Sequence, residues 1–376
     1  MKTSIKIFFK KTWIVSSIFL SVLYIISCIS PYIPAADFSY MPFFAFAFPA
    51  LFFLVIITSM VSLFIQKKIS LLLFCILPLG YTNIINSFAF NMDHQWQNKK
   101  DTNALRVLTW NVQNFFDMSA QSNPKAATRL EMLHVITSAN PDIVCLQEYR
   151  NIENGRRLVS VRKELDSLGY KYNYCSNDVV IIEKKRVMTG GVAIYSKRPF
   201  IDSGKLLISK GILPESLAFT DILVHDTRVR IFTAHLASFA LYGDTTQAFD
   251  EGEDIYAKTY NRKNEIQFKI RETEILHQQQ IDMIKKEIAK SPYPVLYCGD
   301  MNTTPASYNY HYLKGTMQDA FLEKGAGIGA TFYQILPTLR IDACFADSSF
   351  RINQCVVISK KLSDHYPLIS DIIVKQ

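Results

Sequence analysis

Asp300 and Asn302 stand one residue apart at the end of a short apolar run, Pro294-Val295-Leu296-Tyr297-Cys298-Gly299. The run is rich in β-formers, so it reads as a buried strand that closes on a glycine, a carboxylate and a carboxamide. Polar groups at a strand end project where α/β sheets usually hold ligands. A carboxylate can orient or deprotonate a water, and an amide can donate to a non-bridging phosphate oxygen. By itself the pair equally suits an Asx-turn.

Other strand ends carry similar groups. Asn111 closes LRVLTWN, Glu148 closes DIVCLQE, and His235 lies at the end of RVRIFTAHL. Asp364 and His365 sit in the turn SDHYP before the last strand, and Asp342 lies near the start of RIDACF. Each has a plainer explanation when taken singly: His235 as a core histidine, Asp342 as a partner for Arg340, Glu148 in an edge salt bridge. Taken together they are oxygen ligands plus two imidazoles. Glu148, Asp364 and Asn111 suit a hard cation such as Mg²⁺, which takes few protein ligands and keeps waters. The Cys and His residues show no zinc-ligand spacing. An acid–imidazole pair can move a proton or bind a phosphate while a metal polarises a phosphoryl oxygen.

The elements that must position these groups are mostly strands. Besides those above, Tyr170–Cys175, Val192–Ser196, Leu217–Val224, Ile352–Ile358 and Leu368–Val374 read as strands, with a hairpin turn at His225-Asp226-Thr227. Helices are expected over Lys125–Ala139, Asn154–Leu168 and Lys263–Lys290, the last with Ile266, Ile270, Ile281, Ile284 and Ile288 at helical spacing. Phe239–Asn264 holds the acids Asp244, Asp250, Glu251, Glu253 and Asp254. It reads as a solvated loop or, because it leaves the sheet just after His235, as a substrate gate. Thr303–Phe332 reads as mixed structure, loosened by Gly325, Gly327 and Gly329. Many strands and few helices give an α+β class. The expected architecture is a four-layer α/β sandwich, two mainly antiparallel sheets packed together with helices outside.

The front of the chain is different. Residues 1–91 hold six lysines, no arginine and one acid, and so carry +5 of the formal +8; only +3 is left on residues 92–376. The basic balance belongs to the apolar end, and the remainder lacks the excess of a general nucleic-acid binder. Thr12–Ile29, Pro42–Ile65 and Ile69–Ile85 are uncharged and apolar. A bilayer needs about 20 such residues, with about 17 at the low end, so three crossings are expected. Lys2 to Lys11 and Lys67-Lys68 then mark the inner side, which leaves the rest of the chain on the non-cytoplasmic side of a bacterial inner membrane. A lipoprotein-type signal ending at Cys28 is an alternative for the first stretch. Seven cysteines, scattered through core-like positions, read as small buried hydrophobes and not as a disulfide framework. The expected division is a transmembrane region over 1–91, a polar linker over 92–103 and a catalytic domain over 104–376.

LTWNVQNF, DIVCLQE, FTAHL, YCGDMNTTP, RIDACF and SDHYPL, in that order, resemble the signature of the endonuclease/exonuclease/phosphatase superfamily. The match covers residues 104–375. The resemblance implies a phosphoesterase dependent on Mg²⁺, with Mn²⁺ or Ca²⁺ as substitutes, that cleaves a P–O bond by in-line attack of water without a covalent intermediate. It implies Glu148 as the main metal ligand, with Asn111 and Asp364 in support. Asp300 would activate the water and Asn302 position the phosphate. His365, oriented by Asp342, would supply the acid–base or phosphate-binding imidazole, and His235 would stabilise transition-state charge. Ala343 departs from the aromatic residue that family members often carry after Ile-Asp. Family fixes bond type better than substrate, so the partners expected are a bilayer and a phosphate ester, either nucleic acid or a phospholipid or other organic phosphate. A sphingomyelinase- or phosphoinositide-type enzyme and an inactive membrane-bound binding domain are the alternatives to a nuclease-like hydrolase. No protein partner can be inferred.

Overall fold

The computed structural model describes all residues except Met1, 93–95, 116–123, 154–159, 184–185, 211–213, 240–261 and Gln376. The acidic cluster from Asp244 to Asp254 lies outside the described residues.

In chain order the apolar front forms α1 (Lys2–Cys28), α2 (Met41–Ile65), α3 (Lys67–Ile76) and α4 (Tyr81–Ser87). Then follow β1 (Ala89–Phe90), β2 (Leu105–Asn111), α5 (Pro124–Ala139), β3 (Ile143–Glu153), α6 (Val161–Ser167), β4 (Tyr172–Cys175) and β5 (Val179–Glu183). The middle of the chain supplies β6 (Arg186–Ser196), β7 (Phe200–Ser209), β8 (Glu215–Val224), β9 (Thr227–His235), α7 (Arg262–Ala289) and β10 (Val295–Asp300). The last elements are α8 (Tyr308–Lys314), β11 (Gln318–Asp319), α9 (Ala320–Lys324), β12 (Ala326–Gly327), β13 (Asp342–Ala346), β14 (Phe350–Val357) and β15 (Leu368–Val374).

The chain divides into two units. The first comprises 1–87, 238–278 and 303–312, and the second 88–237, 279–302 and 313–376.

Among the described residues of the first unit, three helical stretches are long and apolar enough to cross a membrane: Ile5–Tyr32, Met41–Ile65 and Lys67–Ser87. The third includes a 3₁₀ turn at Leu77–Gly80, where Pro78 interrupts regular helix. Close packing accounts for Gly80: a Cβ there would lie 2.2 Å from the Tyr24 hydroxyl. Tyr24 in turn stacks on Phe48. Polar groups inside the bundle find partners, as Trp13 Nε1 does on Ser62 Oγ at 2.9 Å. In an apolar medium such bonds and small-residue contacts, more than hydrophobicity, hold helices together.

The second unit is a sandwich of a six-stranded sheet, β11-β13-β10-β9-β8-β7, and a seven-stranded sheet, β14-β15-β2-β3-β6-β4 with β5 on β6. Pairing is antiparallel except at β9–β10 and β2–β3. Strand alternation builds the layers. Val107, Ile143, Cys145 and Ile194 of one sheet meet Ala218, Ile231, Leu296 and Cys298 of the other in a buried core. Their neighbours Leu108, Trp110, Val144 and Leu146 face outward and pack with Met132 and Ile136 of α5 and Leu165 of α6. All seven cysteines are free.

Three features were not anticipated from sequence. β5, the β-branched run VVIIE, was not among the expected strands, and β7 forms where strand patterning is broken by Asp202-Ser203-Gly204, with a register irregularity between Phe200 and Asp202. α8 and α9 are helices of seven and five residues within the stretch expected to be mixed. Arg340 pairs with Asp319, and Asp342 is left for another partner.

Candidate active site

Sheet register gathers the polar strand ends. In the six-stranded sheet Asp300 lies beside His235 on one neighbour and Asp342 on the other. In the seven-stranded sheet Asn111 lies beside Gln147, which puts Glu148 one residue beyond. The register of β3 on β6 breaks between Leu146 and Tyr149, and Glu148 has φ +48°. A bulge with left-handed backbone re-aims a side chain at a cost of about 1–2 kcal/mol for a residue other than glycine. Under the site, Gln147 Nε2 donates to Thr109 Oγ1 (3.1 Å) and to Thr233 Oγ1 (2.9 Å), tying the two sheets together.

Asp300 is the hub, fully buried. Its Oδ2 accepts from Asn111 Nδ2 at 3.0 Å, and its Oδ1 accepts from the Asn302 main-chain N–H at 2.9 Å. His365 Nε2 lies 3.5 Å from Oδ2 and His235 Nε2 lies 3.8 Å away. Asn111 Nδ2 also reaches Glu148 Oε1 at 3.1 Å. All eight residues singled out from sequence therefore fall in one neighbourhood: Asp364 is next to His365 and accepts from Ser363 Oγ, whose hydroxyl also reaches the Asn111 carbonyl.

Both histidines are held through Nδ1 by an acid. His365 Nδ1 meets Asp342 Oδ2 at 2.8 Å, and Asp342 Oδ1 has no hydrogen-bond partner among the described residues. The His365 ring packs on Phe332, and its carbonyl accepts from Trp110 Nε1. His235 Nδ1 meets Glu215 Oε1 at 3.0 Å. With Nδ1–H turned to Glu215, a neutral His235 accepts at Nε2 from Asn302 Nδ2 (3.1 Å), whose amide also donates to the Leu236 carbonyl (2.8 Å). Protonating Nε2 breaks the first of these bonds and aims the new hydrogen at Glu148 and Asp300, 3.7 and 3.8 Å away.

Glu215 was not singled out from sequence. It opens a strand after Pro214 and looks like a solvent-facing edge acid. The recognised hairpin turn carried the signal: the register pairs Val224 with Thr227 and Ala218 with Thr233, and continued further it brings 215–216 beside His235. Behind Glu215, Asp178 accepts from Ser216, Ser176 and Lys205.

Charge in this pocket is unevenly shared. Burial is the largest influence on both histidines and pulls their pKa down. For His235, Glu215, Asp300 and Glu148 outweigh it and leave the ring raised to about 10. For His365, Asp342, Asp300 and Asp364 do the same, again to about 10. Burial pushes the Asp300 carboxyl up, His365 and His235 pull it back, and Asp342 adds to the rise. Burial also raises Asp364, against His365 and with Glu148. The result is two cationic imidazoles around a buried acid, with further carboxylates at the rim. Glu148 is 30% exposed.

A model of the endonuclease/exonuclease/phosphatase family matches residues 108–365. The chain belongs to that family. As a member of it, the protein is a hydrolase that acts on phosphoester bonds. A domain of unknown function (DUF8431) matches residues 7–88. Among solved structures, an endonuclease/exonuclease/phosphatase from Beutenbergia cavernae DSM 12333 is 18% identical with a TM-score of 0.53, covering 73% of this chain and 72% of that one. A family protein from Leptotrichia buccalis C-1013-b is 16% identical with a TM-score of 0.50, covering 72% of this chain and 99% of that one. At such identity the likeness shows the shared fold. No curated protein matches the chain.

Proposed function

We propose that this chain is a membrane-tethered, divalent-cation-dependent phosphodiesterase that hydrolyses its ester by in-line attack of water. The observation that carries the reading is the buried carboxylate of Asp300, bracketed by the Nε2 atoms of two acid-backed imidazoles at 3.5 and 3.8 Å. Such a carboxylate orients a water and takes its proton as the oxygen attacks phosphorus. The P–O bond to the leaving group breaks opposite, and both electrons go to the departing oxygen. Asn302 donates to a non-bridging oxygen. His365 and His235 act as imidazolium, stabilising charge on the phosphoryl oxygens, and one of them returns a proton to the leaving oxygen.

The donor set fits a hard cation. Glu148 and Asp364 offer carboxylate oxygens; Asn111, whose Oδ1 accepts from the Gln113 main-chain N–H at 3.0 Å, supports that shell by donating through Nδ2 to Glu148 and Asp300, and the rise of the Asp364 carboxyl, driven by burial and added to by Glu148 against the pull of His365, marks negative charge that a cation would relieve. When bound, Mg²⁺ (with Mn²⁺ or Ca²⁺ as substitutes) supplies Lewis acidity toward a phosphoryl oxygen. Asp300, Asp342 and His365 also bring one ligand atom each within 4.8 Å of one another. We assign that trio to proton handling, because both nitrogens of His365 already face its carboxylates.

The apolar helices and the placement of Lys2 to Lys11 and Lys67-Lys68 support a multi-pass inner-membrane protein with its site on the non-cytoplasmic side. A reporter fused after Gln376 should be active outside the cytoplasm; activity confined to the cytoplasm would reverse the orientation. For the reaction, the full chain in lipid nanodiscs should hydrolyse bis-p-nitrophenyl phosphate with Mg²⁺ and stop with EDTA. Undiminished turnover in Glu148→Ala or His365→Ala would refute the residue assignment. Parallel assays on plasmid DNA, RNA, sphingomyelin and phosphoinositides separate the nuclease reading from the lipid one. Silence on all of them would favour a binding domain.

A further inference from the structure

The turn that bears His365 is bonded to a second loop, 332–339. Its stem begins at Thr331, which is fully buried and whose Oγ1 accepts from the main-chain N–H groups of Ile341 (3.0 Å) and Asp342 (3.1 Å). The Thr331 carbonyl accepts from the Tyr366 N–H at 2.7 Å, and its own N–H donates to the Leu339 carbonyl at 2.9 Å. Phe332 bridges to both Leu339 and His365. The stem is thus tied to the backbone beside both members of the His365–Asp342 pair, and all of it lies in the sandwich unit.

The tip of the loop is Gln334-Ile335-Leu336-Pro337, four exposed residues of which the last three are apolar. Ile335 is 41% exposed and Leu336 44%. A single exposed hydrophobic residue is ordinary, but a consecutive run on a fixed stem adds nothing to the core and marks a contact surface. Leu336 is four residues on from Phe332, so even a fully extended chain keeps it within about 14 Å of that residue. Phe332 itself packs on His365 with ring centres 5.0 Å apart.

The chemistry of the loop separates two kinds of ester. A nucleic-acid base would call for an aromatic face to stack on. The two aromatic rings of the loop are already engaged: Phe332 lies on His365, while Tyr333 stacks on Tyr366 at 4.8 Å and donates from its hydroxyl to the Ser363 carbonyl. What the tip leaves in solvent is aliphatic. Beside it, Lys360 and Lys361 are exposed, and the Lys361 ammonium lies 5.2 Å from the centre of the Tyr333 ring. Cations next to an aliphatic surface complement a ligand with an anionic head and an apolar chain.

We infer that Ile335, Leu336 and Pro337 form a subsite for the alkyl chain of an amphiphilic, lipid-like phosphodiester whose phosphate is held at His365. These are specificity-determining residues: they touch the chain of the substrate and not its reacting atoms. The inference rests on the hydrolase reading above and adds the class of substrate.

The test uses the full chain in lipid nanodiscs and a series of p-nitrophenyl alkyl phosphates from ethyl to octyl. kcat/KM should rise about twofold with each added methylene, half in free energy of what complete burial would give, so that octyl exceeds butyl by about sixteenfold. Ile335→Ser combined with Leu336→Ser should cut that ratio to about twofold, and Ile335→Leu combined with Leu336→Ile should keep it. A flat wild-type series would overturn the inference. So would a ratio that survives in the serine variant, since it would then come from partition of the ester into the disc. A higher kcat/KM for the p-nitrophenyl ester of thymidine 5′-phosphate than for the octyl ester would mark a nucleotide site and overturn it as well. If the wild-type chain hydrolyses none of these esters, the hydrolase reading fails, and binding decides the subsite: octyl phosphate should slow hydrogen exchange across 333–338 and inorganic phosphate should not. Equal exchange with the two ligands would overturn the subsite itself.

Discussion

The two histidine–acid pairs look alike and are built differently. His235 and Glu215 both come from the six-stranded sheet, on adjacent strands of one hairpin. His365 and Asp342 join a turn before β15 of the seven-stranded sheet to β13 of the six-stranded one. The first pair is local and holds a ring; the second also ties one sheet to the other across the site. Loss of the second should therefore damage more of the machine, although both rings are raised to about 10.

The largest effect should come from the rim that both pairs face. Removing the divalent cation, or Glu148→Gly, should lower turnover by about a thousandfold or more, as expected when phosphoryl charge loses its counter-ion. The same variant should unfold about 1 kcal/mol later in a denaturant titration, because glycine relieves the left-handed backbone at 148. Destabilisation instead would mean that the Glu148 side chain holds the bulge together.

Asp342→Asn should come next. It removes the counter-charge of His365 while keeping the shape, and turnover should drop by about a hundredfold. Glu215→Gln should cost about tenfold and shift the pH profile. Without Glu215 the His235 ring loses a main support of its charge, so the alkaline fall in rate should move from about pH 10 toward neutrality. Equal losses in the two variants would erase the distinction between the pairs.

A smaller effect concerns stability. Both rings have a folded pKa raised above the ordinary value of 6.5, so their contribution is complete below that value and disappears as pH climbs through about 10. Thermal unfolding in EDTA should show this alkaline decline, and Asp342→Asn should flatten its His365 share. A decline on the acid side alone would contradict the charge assignment. Gly299→Ala tests the scaffold beneath both pairs: its Cβ would meet the Ala234 carbonyl oxygen at 2.3 Å, on the strand that ends in His235. It should cost about 1–3 kcal/mol of stability, measured by denaturant titration.

Much of this site was legible as a set of polar residues beside apolar strands, although each has a plainer explanation when taken singly. Asn111, Glu148 and Asp300 each interrupt or follow an apolar strand and His365 lies just before one, and burial makes such polar residues conspicuous. Glu215 could not be read so, because an acid at a strand opening is ordinary until register sets it beside an imidazole. β7 was hidden because Asp202-Ser203-Gly204 looks like a turn, while a position at the sheet edge tolerates it.

From the amino-acid order alone came the apolar helices, the alternation that makes two buried sheets, and the residue types able to hold a phosphate. These are short-range properties, fixed by the period of hydrophobic side chains and by what each functional group can donate or accept. Only the tertiary structure decided which acid holds which histidine, and that Ser30 and Ala306, 276 residues apart, share a hydrogen bond. Such pairings depend on strand register and on the packing of distant segments. A single peptide stretch carries no record of either, because a shift of one residue turns every side chain to the other face.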